Sequence, residues 1–277
     1  MKTIRFMLFI ACVLISTPSY AASRVFAYKV APGQIWKATV ASQHEYGLIG
    51  EKKVSRLKRV IQYKVSKGPK AGWVTLAAQI VSSVPQKGTM DFTLMGFGGD
   101  MHRTGEIRNI KTSGAEAIAA QYKKEGQPPG AAAMLENAFR ATIEAFTPAI
   151  FWFPEFPEDG LEIGDEFEVR ERISQGGPTP YEAKTVAKHV FTLEDISEGL
   201  AYFSVRERSL TEMDGVMGGK AETKTAGKAD AIFDLQQGMW SEVTTKTKIT
   251  VKLGNIAGMG SSTSKQLYIK KVTMERE

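Results

Sequence analysis

The sequence predicts an α+β fold that is mostly antiparallel β: a curved sheet or half-barrel with a helical insert packed on the sheet. Three observations support this class. Apolar and polar residues alternate along several segments on both sides of the chain's centre. Strong helix formers are concentrated between positions 115 and 146. Glycine- and proline-rich turn signals separate the segments.

The first 21 residues have the pattern of a secretory signal peptide. Met1–Arg5 is positively charged, Phe6–Ile15 is apolar, and Ser19-Tyr20-Ala21 fits the small-x-Ala cleavage rule. The apolar run is too short to cross a membrane as a helix, and we find no second run, so we expect no transmembrane segment in the mature chain. Cys12 lies in a loose lipoprotein-like context, but its apolar neighbours place it in the discarded signal; whether it is ever lipidated stays open.

Cysteine usage and charge indicate a compartment. Cys12 is the single cysteine, so the mature chain has no disulfide, thiolate nucleophile or cysteine-based metal site. A secreted eukaryotic domain would more often carry disulfides, so we expect a bacterial periplasmic protein. Loss of Lys2 and Arg5 lowers the formal charge from +6 to +4, which is mildly basic.

The first half of the mature chain reads as a series of strands. In one of them Leu57, Ile61, Tyr63 and Val65 form an apolar face opposite polar residues. The alternation and turn signals predict strands over Gln34–Ser42, Val54–Val65, Trp73–Val84, Met90–Met95 and Gly105–Lys111, with a loop over Met95–Asp100.

The central stretch is the helical insert. Helices are expected over Ala115–Lys124 and from about Ala131 to Phe146, separated by the helix-breaking Gly126–Gly130. The second helix has a broad apolar stripe that must be buried against a sheet. Thr147–Pro157 follows, with three prolines and four aromatic residues. It is either a connector packed on the core or a lid over an apolar cavity.

The second half repeats the order of the first half. Gly164-Asp165-Glu166-Phe167 corresponds to Gly33-Gln34-Ile35-Trp36 as a turn that leads into a strand. Duplication and an ordinary antiparallel meander both explain this order. We expect one β-rich domain over 22–277, composed of a β half 22–114, the insert 115–157 and a β half 158–277. Strands are expected over Glu166–Ile173, His189–Ile196, Ala201–Leu210, Ala229–Gln237, Trp240–Leu253 and Leu267–Met274.

No catalytic or cofactor motif is present. The chain lacks a nucleophile elbow, an H-E-x-x-H pair, a Walker loop and a dinucleotide fingerprint. A hydrolase would need His44, His102 or His189 beside a serine and a carboxylate, and nothing in their spacing indicates this. The acidic run from Glu155 to Glu168 is typical of a solvated face. We expect no enzyme and no cofactor.

Methionine and glycine recur together in three segments: Met95–His102, Met213–Gly219 and Gly258–Gly260. They are read first as hairpin loops, in which glycine supplies positive φ. The second reading is an adaptable apolar rim, because thioethers repack around varied ligands. The third is soft-metal binding with His102. The methionines lack a regular spacing, so no metal site is predicted.

A basic segment begins just before the second predicted strand and continues along it. It suits an anionic envelope surface, or a solvated strand face whose long side chains protect an edge. Nucleic acid is not expected outside the cytoplasm. The basic residues are Lys52, Lys53, Arg56, Lys58, Arg59 and Lys64.

The sequence also contains two short motifs, Ala231–Gly238 (AIFDLQQG) and Gly164–Phe167. Together with the order of signal peptide, β half, helical insert and second β half, they resemble exported bacterial β-rich proteins of unknown function. Some of these are similar to the half-barrel lipid and lipoprotein carriers of the periplasm. The resemblance implies a curved sheet that holds an acyl chain beneath a helical lid. It leads to a non-enzymatic binding protein for an apolar or amphipathic ligand; the alternative is a structural or interaction module of the cell envelope. The residues expected at the ligand are Ile150, Phe151, Trp152, Phe153, Phe156, Met95, Phe97 and Met217.

Overall fold

The computed structural model describes residues 23–47, 52–84, 92–123, 136, 152–175, 182–216, 219–254 and 261–277. The expected signal peptide, the second expected helix apart from Glu136, and the residues Ile150, Phe151 and Met217 lie outside these ranges. In the part of the chain that is described, no helix is long and apolar enough to cross a membrane.

The described chain is mostly antiparallel β, as the alternation predicts. One short helix, α1, covers Ala115–Lys123 and confirms the first expected helix. The strands are β1 (Ile35–Tyr46), β2 (Lys53–Lys67), β3 (Trp73–Val84), β4 (Gly96–His102), β5 (Ile107–Ser113), β6 (Glu166–Gln175), β7 (Glu182–Ser197), β8 (Leu200–Val216), β9 (Gly219–Asp234), β10 (Met239–Leu253) and β11 (Ser262–Arg276).

All eleven strands form one sheet that does not close. The order is β5-β4-β3-β2-β1-β11-β10-β9-β8-β7-β6. Each half of the chain is a meander, and the two meanders join where β1 pairs with β11, from Trp36 opposite Arg276 to Glu45 opposite Leu267. The sheet edges β5 and β6 are therefore the two strands that flank the central insert.

Two sequence expectations in the first half are wrong. Phe92–Leu94 is a 3-10 turn, not part of a strand. The glycine-rich segment expected as a loop is β4, which pairs with β3 from Gly96 opposite Gln79 to His102 opposite Trp73. Glycine lowers strand propensity, but Phe97 and Met101 alternate toward the core and are 4% and 0% exposed. Burial of these two side chains outweighs the weak propensity.

A cluster of aromatic side chains forms the core at one end of the sheet. Phe156 is at its centre, with ring centroids 5.2 Å from Phe26, 5.1 Å from Phe233, 5.7 Å from Phe167 and 5.7 Å from Trp240. Pairs in such stacked, tilted and edge-on arrangements add about 0.5–1.5 kcal/mol each beyond the area they bury. The cluster joins residues from both chain halves into one core.

Two non-strand segments, 23–30 and 152–161, carry aromatics into this core; together we call them the plug. They bridge to each other through Arg24 and Leu161. The Phe156 amide donates to the Thr104 carbonyl in the β4–β5 turn at 2.8 Å, whereas the Phe156 ring packs on Phe167 of β6. The plug therefore contacts both edges of the open sheet.

Candidate functional site

Beside the plug, the inward face of β1, β2, β10 and β11 encloses a cavity of about 270 Å³. Two tryptophans, Trp152 and Trp240, lie against it, with ring centroids 5.9 Å apart. Its other lining residues are Ala38, Val40, Arg59, Ile61, Tyr63, Ile80, Glu242, Val243, Tyr268, Lys270, Val272 and Met274.

The cavity changes from apolar to polar along the strands. Nearest the plug, Ile61, Ala38 and Met274 form one cross-strand row. The next row contains Arg59 of β2, Val40 of β1, Val272 of β11 and Val243 of β10, in that order across the sheet. One step further, Lys270 lies between Ser42 and Thr245, and Tyr268 follows two residues along the same strand. The cavity lining is thus amphipathic: apolar residues fill the rows near the plug, and Arg59, Lys270 and Tyr268 come from the rows further along the strands.

Lys270 is the most unusual of these polar side chains. It is half-buried, and its Nζ lies 5.9 Å from the ring centroid of Trp152, where the ring face attracts a cation. Desolvation lowers the pKa of the Lys270 ammonium, and the nearby Glu207 and Glu171 raise it by less. Arg59 shows the same direction, because burial lowers its pKa. Both groups would gain from an anion that replaces lost water.

Glu207 projects from the inward face of β8, where its carboxylate occupies a space beside a glycine of the neighbouring strand. Its carboxylate accepts a hydrogen bond from the Thr247 hydroxyl of β10. Gly227 lies opposite Glu207 on the intervening strand, and a Cβ there would be 2.4 Å from Glu207 Oε1 and 2.8 Å from Thr247 Oγ1. Glycine therefore leaves the room that this carboxylate needs.

Most of the described residues expected at a ligand rim are packed in the core instead. Phe153, Phe156, Met95 and Phe97 are 6%, 2%, 0% and 4% exposed. Their large apolar surfaces are satisfied by aromatic and aliphatic neighbours within the sheet. Trp152 is the one described member that lines the cavity. A direct ligand contact of the other residues stays a prediction.

The basic segment divides between two faces. Lys52, Lys53, Arg56, Lys58 and Lys64 are exposed, and Lys52 Nζ lies 2.6 Å from a Glu45 carboxylate oxygen. Arg59 differs because its row faces inward, where it lines the cavity. Arg59 therefore belongs to the cavity and not to the exposed basic surface on which the sequence placed it.

The histidines are on three strands. His44 Nε2 lies 2.7 Å from Gln266 Oε1, and His102 Nδ1 lies 2.9 Å from Thr104 Oγ1. His189 is opposite Glu207 in the β7–β8 ladder. Within the described ranges, no group of three or more His, Cys, Asp and Glu residues could hold a metal ion. The absence of enzymatic activity stays a prediction.

Comparison with known proteins adds little. No family model matches the chain, and no curated protein matches it. Ail, the attachment invasion locus protein of Yersinia pestis, has 5% identity and a TM-score of 0.19 over 88% of this chain and 100% of its own. An outer membrane channel from Pseudomonas putida F1 has 7% identity and a TM-score of 0.19, over 90% and 97%. Salmonella typhi OmpF, in complex with daunomycin, has 7% identity and 0.21, over 87% and 97%. Such TM-scores transfer neither fold details nor function.

The cavity residues contributed by β11 could not be found from the sequence. Lys270 is an ordinary polar residue in an alternating strand, and only the pairing of β11 with β1 and β10 brings it beside Val40, Arg59 and Thr245. Trp152, which the sequence indicates as an aromatic residue in a segment that cannot be a regular helix, lines the cavity, and its contact with a ligand stays a prediction.

Proposed function

We propose that the chain is a non-enzymatic periplasmic protein that binds a small amphipathic, lipid-like ligand in the cavity beside the plug. The observation that carries this proposal is the amphipathic lining, which combines apolar side chains and two tryptophans with the polar groups of Arg59, Lys270 and Tyr268. Ligand sites are typically concave, mostly apolar and equipped with a few convergent polar groups.

The cavity volume limits the ligand. At about 270 Å³ it lies just below the range of about 300–1,000 Å³ that is typical for drug-sized ligands. A two-chain lipid is too large for it. We therefore expect a single short acyl chain, with its apolar end against Ile61, Val272 and Met274.

The polar end favours an anionic head group. Lysine and arginine bind carboxylates and phosphates through charge-assisted hydrogen bonds that are about twice as strong as neutral ones. Because desolvation lowers the Lys270 pKa, its ammonium loses its proton at lower pH than an ordinary lysine. Affinity for an anionic ligand should consequently fall as the pH rises toward 10, whereas affinity for a neutral ligand of the same length should not.

Titration calorimetry with decanoate and decanol tests the proposal. Lys270→Gln should weaken decanoate binding at least tenfold and leave decanol binding nearly unchanged, since only the head-group contact is lost. Lys271→Gln is the matched control, because Lys271 is the next residue on β11 and is not among the residues that line the cavity. Equal losses in the two variants would contradict the assignment of Lys270.

The apolar end is tested separately by filling the cavity. Val272→Phe should abolish binding of both probes because it places a ring in the lining, whereas Thr273→Phe projects from the opposite face of β11. Native mass spectrometry of the mature protein from a bacterial periplasm would reveal a ligand that co-purifies. If neither probe binds and Val272→Phe changes nothing, the binding function is wrong.

The alternative is a structural or interaction module of the cell envelope. The exposed cations Lys52, Lys53, Arg56, Lys58 and Lys64 are the observation that favours it. Neutralising Lys58 and Lys64 should then abolish capture of an envelope partner and leave decanoate binding unchanged.

A further inference from the structure

The outward face of the second meander carries a groove of about 900 Å³ that crosses the sheet from β6 to β10. Its cationic lining residues are Lys188, Arg206, Arg208, Lys228, Lys246 and Lys248. This set does not overlap the basic segment that the sequence indicated. It combines residues from the four consecutive strands β7, β8, β9 and β10.

The strand registers place these like charges directly opposite one another. Arg206 pairs with Lys228, and Lys228 pairs with Lys246, which makes one row of three cations across β8, β9 and β10. In the adjacent row, Arg170 pairs with Lys188, and Lys188 pairs with Arg208. Like charges directly opposite in a sheet are destabilising. Two parallel rows of this kind therefore lower stability unless an anion lies over them.

The carboxylates near the groove are concentrated at its β6 end. Glu166 pairs with Arg206 at 2.7 Å, and Glu168 pairs with both Arg170 and Lys188. Lys52 and Gln43 lower the pKa of Glu45 on β1 through hydrogen bonds, and desolvation opposes them. The charge of Lys246 lowers this pKa by a smaller amount, which shows that Lys246 lies near Glu45. Among the described residues, Arg208, Lys228 and Lys248 form no ion pair.

The groove continues across the seam between the two meanders. A second depression of about 750 Å³ shares Lys248 with the first and is also lined by Lys52, Lys265 and Glu45. Together the two depressions form a cationic track from β6 to β1. Adjacent strands are about 4.8 Å apart, so the track presents positive charge at short, regular intervals perpendicular to the strands.

Protection of a sheet edge does not explain these lysines. Lysine often guards edge strands against pairing with other chains, but β8, β9, β10 and β11 are interior strands with neighbours on both sides. The two depressions follow one another across the strands and share Lys248, which fits a thread-like partner better than a flat bilayer surface. Charge complementarity then requires that the partner carry repeated negative charges.

We infer that this track binds an extended linear polyanion that carries phosphate groups along its length. Each phosphate would lie between cations of adjacent strands, with Arg206, Lys228 and Lys246 as the central contacts. The inference rests on the outward face alone and is independent of the ligand proposed for the inner cavity.

Long-chain inorganic polyphosphate is the probe, titrated into the mature chain at several salt concentrations. The triple variant Lys228→Gln, Lys246→Gln and Lys248→Gln should bind at least tenfold more weakly and show a salt slope reduced by about 2, because fewer counterions are released. Lys58→Gln, Lys64→Gln and Lys67→Gln is the control: it removes the same charge from exposed positions on β2 and should bind within twofold of the unmodified protein.

Three results would overturn the inference. The first is that the unmodified protein binds polyphosphate no better than orthophosphate. The second is an equal loss in both triple variants, which would show that net charge and not the track is responsible. The third is tighter, track-dependent binding to phosphatidylglycerol vesicles than to polyphosphate, which would make a membrane surface the partner. All six lysines are exposed, so thermal unfolding should show both variants folded.

Discussion

At the scale of single residues, Tyr28 joins parts of the chain that are distant in sequence. Its hydroxyl donates to the Pro154 carbonyl at 3.0 Å and accepts from Trp240 Nε1 at 2.8 Å. The side chain is 3% exposed. One phenol therefore connects both plug segments to β10 through bonds that water cannot replace.

Tyr28→Phe should lower the free energy of unfolding by about 1–3 kcal/mol, because it leaves the Trp240 indole N–H and the Pro154 carbonyl without this partner. Urea denaturation followed by tryptophan fluorescence measures the change. Tyr46→Phe is the control, since Tyr46 is 39% exposed and should change stability by less than about 0.5 kcal/mol. Similar effects of the two substitutions would show that the buried hydroxyl contributes little.

The same phenol makes stability depend on alkaline pH. Burial raises the pKa of Tyr28 well above its ordinary value, and the hydrogen bond from Trp240 lowers it by less. Because the folded-state pKa lies above the unfolded value of about 10, the contribution is fully present below pH 10. It is lost as the pH rises further toward the folded-state pKa. Denaturation midpoints should fall steeply above pH 10, and less steeply in Tyr28→Phe, where the raised pKa of the buried Tyr63 still contributes.

At the scale of elements, the β4–β5 turn determines where the plug lies. Gly105 in this turn has φ of 107°, and a Cβ there would be 2.5 Å from the Pro154 carbonyl oxygen and 2.8 Å from Tyr28 Cε2. Only glycine tolerates both the left-handed backbone and this close approach.

Gly105→Ala should therefore destabilise the fold by about 1–3 kcal/mol through overpacking, in addition to the cost of positive φ. Gly33→Ala isolates the backbone cost, because Gly33 has φ of 90° and nothing within 4 Å of a Cβ. The difference between their denaturation midpoints measures the turn–plug contact. If the two variants are equally stable, the plug is not seated on this turn as described.

Individual elements were largely predictable from local patterns. The alternation of Phe167 and Val169 with Glu166, Glu168 and Arg170 correctly gave the inward face of β6. β4 was missed because Gly96, Gly98 and Gly99 are typical of a loop, and the evidence against a loop is burial of Phe97 and Met101 by β3. Likewise, the aromatics near Phe153 were read as a rim because the sequence does not show that N-terminal residues such as Phe26 cover them.

At the scale of the whole molecule, the seam between β1 and β11 turns two meanders into one sheet. Its partners are more than 200 positions apart in the chain, as Ser42 and Lys270 illustrate. Nothing in the sequence distinguishes this pairing from two separate sheets, so the cavity, which needs β11 beside β1, could not be predicted. The central rows of the outward track lie on consecutive strands, and they depend on the exact register of those strands, which the alternation alone does not give.

The seam also predicts where the sheet is most sensitive to substitution. Lys271→Pro in β11 should cost about 3 kcal/mol or more, because proline removes a donor and disturbs a strand bonded on both sides. Lys111→Pro in the edge strand β5 should cost clearly less, since it has one neighbour there. Hydrogen exchange would locate the damage: Lys271→Pro should expose amides of both meanders, and Lys111→Pro only those of β4 and β5.

Order of synthesis gives the seam a further consequence. Strand β1 is synthesised before the other described strands, and β11 is synthesised after them. The amides and carbonyls on the β11 side of β1 therefore stay unpaired until β11 is made. Throughout translation, the nascent first half therefore presents a long open edge of the kind that recruits other chains. A chaperone that holds extended strands, or delivery of the C-terminus soon after the N-terminus, would shorten this exposure. Overproduction, which crowds unfinished chains together, should lengthen it and yield aggregates joined through β1.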